Sequence, residues 1–125
     1  MVRKIGFIVL VMLIFGAPIK AEALDKRPSW KILDEALTYL YSVPGVAWVK
    51  SSDHKVFLSW KSQPRNFGRI NQVAARKAAH ALHNEVTVYS LPPGETLPEE
   101  LWDYEPPFLC KTTANPQEII ESNCR

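Results

Sequence analysis

The 125-residue sequence predicts an α+β fold, a two-layer sandwich in which two helices cover one face of a small antiparallel sheet. Three stretches lead there. Gly45 to Lys50 and Lys55 to Trp60 are strand-like and flank a polar tip, Ser52-Asp53-His54. Asn66 to His83 is an Ala-rich amphipathic run, and Glu85 to Leu91 alternates apolar with polar residues. With a helix in front, the order is helix-strand-strand-helix-strand, followed by a disulfide-stapled C-terminal tail.

Met1 to about Ala23 reads as a cleaved signal peptide rather than part of the fold. Arg3 and Lys4 give it a positive start, Ile5 to Ala17 is too short to span a bilayer comfortably, and Ala21-Glu22-Ala23 is a small-x-small cleavage pattern. An uncleaved anchor is the competing reading. Cleavage makes residues 24–125 the mature chain, exported to the bacterial periplasm or exterior without a stable membrane anchor. The full chain has 15 basic and 13 acidic residues. Arg3, Lys4, Lys20 and Glu22 leave with the leader, so the mature protein is near neutral and gives no argument for nucleic acid.

The first helix falls between Asp25 and Val43. Ser29 is the expected N-cap, Trp30, Leu33, Leu37 and Leu40 repeat at core spacing, and Ile32, Ala36, Tyr39 and Val43 widen the apolar side. Trp30 and Tyr41 read as core aromatics. Val43-Pro44-Gly45 terminates the helix.

For the hairpin, a three-residue loop pairs Ser51 with Lys55, Val46 with Trp60 and Trp48 with Leu58. Val56, Val86 and Val88 then share the face of Trp48. A two-residue loop would set Trp48 opposite Ser59 and mix the faces. Val49 and Phe57 fall on the other face, where the tail could cover them.

Pro64 precedes the second helix and Asn66 is its expected N-cap. Phe67, Ile70, Ala74, Ala78, Ala81 and Leu82 form its apolar side. Arg69, Gln72, Arg76, His80 and His83 form a polar, basic stripe opposite, either a solvated face or a surface for an anionic partner. A right-handed crossover would place the third strand beside the first, giving sheet order 2-1-3 and a core domain over residues 24–91.

In element order, Asp34 to Leu91 resembles the BON-type envelope domains, without that family's glycine-bracketed strand around Val56 to Leu58. The resemblance is one of topology and implies a fold, not an activity.

Residues 92–125 differ in character. Pro92-Pro93-Gly94, Pro98 and Pro106-Pro107 break any long element, and the arm from 92 to 105 is acidic. It is expected to fold back near the basic helix or hairpin. Trp102 and Tyr104 either pack it down or offer a contact site. Cys110 and Cys124, the only cysteines, suggest a disulfide in an exported chain. Between them, Asn115-Pro116-Gln117-Glu118 matches a helix start, so a short helix carrying Ile119 and Ile120 is expected.

No nucleophile elbow, Walker loop or dinucleotide-binding glycine pattern is present, and five glycines leave little for a phosphate cradle. No cofactor or metal is expected. The sequence therefore favours a non-enzymatic binding or accessory protein of the bacterial envelope or exterior. Its partner would be a protein or an anionic envelope component, met by Arg69, Arg76, His80, Trp102 or Tyr104. Two alternatives stand beside it. A small metal-dependent hydrolase could be built around His80, His83 and Glu85, although the His-Glu-x-x-His spacing is missing. An enzyme inhibitor could act through the 92–105 arm.

Overall fold

A computed structural model describes residues 27–97 and 105–125. Helix α1 (Ser29–Ala36) runs into a 3-10 turn (Thr38–Ser42). Strands β1 (Val46–Ser52) and β2 (Lys55–Trp60), helix α2 (Phe67–Leu82) and strand β3 (Val86–Leu91) follow. Beyond the arm come β4 (Cys110–Ala114) and β5 (Ile119–Ser122). The class is α+β, and the Cys110–Cys124 disulfide is formed.

The small antiparallel sandwich with order 2-1-3 is corrected. The sheet is mixed and has five strands in the order β1-β2-β3-β4-β5, with β2 and β3 parallel and the other pairs antiparallel. Burial explains why β3 lies beside β2. Val56 through Trp60 and Val88 through Leu91 are buried on both faces, so both strands need the interior of the sheet. The outer strand β1 buries only Val49 fully and keeps Ala47 and Lys50 in solvent.

The hairpin also differs from expectation. Ser52 pairs with Lys55 across a two-residue loop, with Asp53 in the left-handed region at φ 57°. Trp48 accordingly lies opposite Ser59, and Val49 opposite Leu58. Val46 still pairs with Trp60 because a bulge between Val46 and Trp48 absorbs one residue. The bulge lets the strand change parity, so Val46 and Val49 both reach the helix side while Trp48 turns to the opposite face.

On the helix side, α1 packs on α2 and β1, and α2 packs on β3, β4 and β5. Leu33, Leu37, Leu40, Val56, Leu58, Trp60, Val86 and Val88 form this core. Ala74, Ala75, Ala78 and Ala79 bring the α2 backbone close to the strands. Trp30 and Tyr41, read as core from the sequence, are instead 52% and 56% exposed. The other face holds a second cluster, Phe57, Tyr89 and Leu91 against Trp48, Leu97 and Phe108. The tail thus covers Phe57 as expected, but not Val49.

The short helix expected at Asn115 is a hairpin turn. Asn115 Oδ1 accepts from the amides of Gln117 and Glu118, each at 2.8 Å, which is the bond set of an Asn turn as much as of a helix cap. The following Ile-Ile-Glu-Ser pairs with β4 as β5. Both helix starts were expected with side-chain caps. Helix α1 begins one residue after its Pro28 cap position, and Asn66 does precede α2, but neither makes a side-chain capping bond.

Candidate functional site

The exposed flank of α2 is the most chemically distinctive surface among the described residues. Its apolar side is buried in the sheet, which leaves Arg69, Val73, Arg76, Lys77 and His80 outside. Helix α2 contains no Asp or Glu. Among the described residues, Arg69, Arg76 and His80 enter no ion pair. Arg69, Arg76 and Lys77 thus form a row of cations facing solvent along the helix, with His80 at its end.

Two concavities flank this row. A groove of about 190 Å³ between the 3-10 turn and the first half of α2 is lined by Tyr39, Val43, Asn66, Arg69, Ile70 and Val73. Its floor is apolar, and Arg69 stands at its rim. Beside the second half of α2, a cleft of about 370 Å³ is lined by Ala36, Arg76, Lys77, His80, Ala81 and Pro116. The Lys77 ammonium lies 5.3 Å from the Tyr39 ring centroid and divides the two hollows. Partial burial raises the Tyr39 pKa, so its hydroxyl stays protonated.

The residues expected from sequence are thus distributed unevenly. Arg69 lies at the groove, whereas Arg76 and His80 lie at the cleft, all on one helix face. Trp102 and Tyr104 fall outside the described residues. The His80 and His83 rings are tilted at 45° with centroids 6.2 Å apart, and no group of three possible metal ligands forms among the described residues. Asp53 and His54 share the exposed hairpin tip, 4.0 Å apart.

The described ends of the acidic arm lie against the sheet: Leu97 packs on the Phe57–Tyr89–Leu91 cluster beside Trp48 of the hairpin, and residues 98–104 fall outside the described residues. Glu105 Oε2 accepts from Tyr89 Oη and from Lys111 Nζ, both at 3.1 Å. These two bonds, Lys111 first, hold the Glu105 carboxyl below its ordinary range. Burial, followed by the Glu105 charge and hydrogen bond, pushes the Tyr89 hydroxyl up to about 12.

Sequence reasoning missed a polar network under α2. Asn71, fully buried, donates to the Val88 carbonyl and Thr112 Oγ1 at 3.0 Å, and to Cys124 Sγ at 3.2 Å. Its Oδ1 accepts from Ser90 Oγ at 2.8 Å, and Ser90 in turn accepts from Trp60 Nε1 at 3.1 Å. Thr112 continues the chain to Ser122 at 2.9 Å. Every polar end has a partner, so this is an interior brace with no open side for a substrate. The signal was present, as an Asn on the apolar side of an otherwise Ala-rich helix.

Comparison with known protein families, curated proteins and solved structures returns no match.

Proposed function

We propose that this is an exported, non-enzymatic binding protein of the bacterial envelope or exterior, with the exposed flank of α2 as its contact surface. The observation that carries this reading is the row Arg69, Arg76, Lys77 and His80 on a helix without a single carboxylate, set beside an apolar groove. Exposed cations attract an anionic partner, speed encounter and select against cationic ones. An apolar hollow adds the desolvated area that surface charge alone does not supply.

Export is part of the proposal. The Cys110–Cys124 disulfide favours an oxidising compartment, and no described helix is long and apolar enough to cross a membrane. The expected leader, residues 1–23, lies outside the described residues.

Immobilised poly-L-glutamate tests the surface. Residues 24–125 should bind it at low salt, and Arg69→Glu combined with Arg76→Glu should weaken binding at least tenfold. Equal binding by the double variant would remove the helix from the proposal. Intact mass tests export: chain recovered from the periplasm or medium should match Leu24 to Arg125 less two hydrogens. A retained leader or free thiols would overturn that part.

A further inference from the structure

The two hollows beside α2 differ in chemistry, and that difference says more about the partner than the charge does. The groove is too small for a drug-sized ligand, since sites of that kind hold roughly 300–1,000 Å³. At about 190 Å³ it matches one or two side chains of a polypeptide. Tyr39, Val43, Ile70 and Val73 give it apolar walls, with Val73 38% exposed and Tyr39 36% exposed. Open apolar walls of this kind are where an interface buries its anchor.

The cations beside the groove come from α2. Arg69 lies at its rim, Lys77 stands over Tyr39 at its other end, and Arg76 and His80 follow along the same face. Arg69 and His80 are eleven positions apart on α2, about 16 Å along the helix axis. An extended segment of about five residues covers that distance.

Resting on the binding role proposed above, we infer that the partner is an acidic polypeptide segment that seats one apolar side chain in the Tyr39–Val43–Ile70–Val73 groove while flanking carboxylates meet Arg69 and the Arg76–His80 end. The groove supplies selectivity between acidic sequences, and the cations supply attraction. A flat anionic lipid surface uses the cations but has no use for a hollow of this size.

Two labelled peptides test this against residues 24–125: Glu-Glu-Leu-Glu-Glu and the same peptide with Ala in place of Leu. By fluorescence polarisation the Leu peptide should bind at least about tenfold more tightly, the effect of burying one leucine side chain. Val73→Lys, at an exposed position, should abolish that preference while thermal unfolding stays near wild type. Equal affinity for both peptides, or no binding of either, overturns the inference. So does phosphatidylglycerol-vesicle binding that Val73→Lys weakens while peptide binding is indifferent to it. Failure here with poly-L-glutamate binding still dependent on Arg69 and Arg76 leaves the binding role standing. Loss of that dependence removes both.

Discussion

Tyr41 and Val49 hold each other at the rim of the sheet: the Tyr41 hydroxyl donates to the Val49 carbonyl at 3.0 Å and accepts from the Val49 amide at 3.2 Å. Because β1 is an outer strand, these two backbone groups face away from β2 and would otherwise be open to another chain. One hydroxyl from the 3-10 turn closes that opening. Tyr41→Phe should therefore speed hydrogen exchange of the Val49 amide at least tenfold and cost about 1 kcal/mol. Unchanged exchange at Val49 would show that the hydroxyl is dispensable.

Asn71 serves four partners at once, so its removal leaves Ser90, Thr112 and the Val88 carbonyl short of bonds in a dry interior. Asn71→Leu should destabilise the protein by about 3 kcal/mol, read as a lower urea midpoint. A loss under ~1 kcal/mol would mean the surroundings re-pair without it.

Disulfide removal acts on the same region. Cys110 and Cys124 are 14 positions apart, a loop whose closure is worth about 3 kcal/mol in the chain-entropy account. The double variant Cys110→Ser, Cys124→Ser should lose about that much, and amides of β5 should exchange before those of β2. Uniform exchange across the sheet would indicate that the bond stabilises the whole fold and not this corner.

The Tyr89–Glu105–Lys111 cluster sets two pH limits. The Glu105 carboxyl is lowered in the folded state, so its contribution is present above the unfolded carboxylate value near 4.3 and is lost as pH falls through the folded value. Tyr89 is raised to about 12 from an unfolded value near 10, so the folded state holds the proton that the unfolded chain releases. Stability should fall between about pH 10 and 12. Tyr89→Phe should flatten that alkaline limb in urea titrations, and an unchanged limb would assign it to other groups.

Gly45, at φ 94°, has the Ser62 carbonyl where a Cβ would go. Its own carbonyl accepts from the amides of Lys61 and Ser62 at 2.7 and 3.1 Å. Gly45→Ala should lower the melting temperature, since the left-handed conformation alone costs ~1–2 kcal/mol for a residue with a Cβ. A melting temperature equal to wild type would show that the turn can shift.

Much of this architecture was legible because it rests on periodicity. The Ala-rich helix, the first two strands and β3 follow from spacing, and the disulfide from an even cysteine count. What misled was parity. Ala47 looks like any strand residue, yet the bulge beside it lets Val46 and Val49 share a face and sends Trp48 to the other. Strand order was readable in principle, because Val56 to Trp60 is richer in apolar residues than Val46 to Ser52 and so belongs further inside. Strand β4, Cys-Lys-Thr-Thr-Ala, carries too little hydrophobicity to announce itself, and Asn115 presents the same local bonds to a turn as to a helix cap. Of the site, the cations were visible as a stripe. The groove was not, because Tyr39 comes from a 3-10 turn and Val43 is the residue that ends it, and their placement against Ile70 and Val73 is a tertiary fact.

The brace beneath α2 also constrains how this chain can drift. A fully buried Asn71 is tolerable only while Ser90 and Thr112 point at it, and Ser90 in turn answers Trp60. Replacing any one of these strands an inward polar group, whereas exchanging the set for apolar residues of matching volume leaves nothing unpaired. These four positions should therefore change together or hardly at all. In any set of divergent sequences built on this plan, their correlated identities would trace descent after the surface charges have been rewritten.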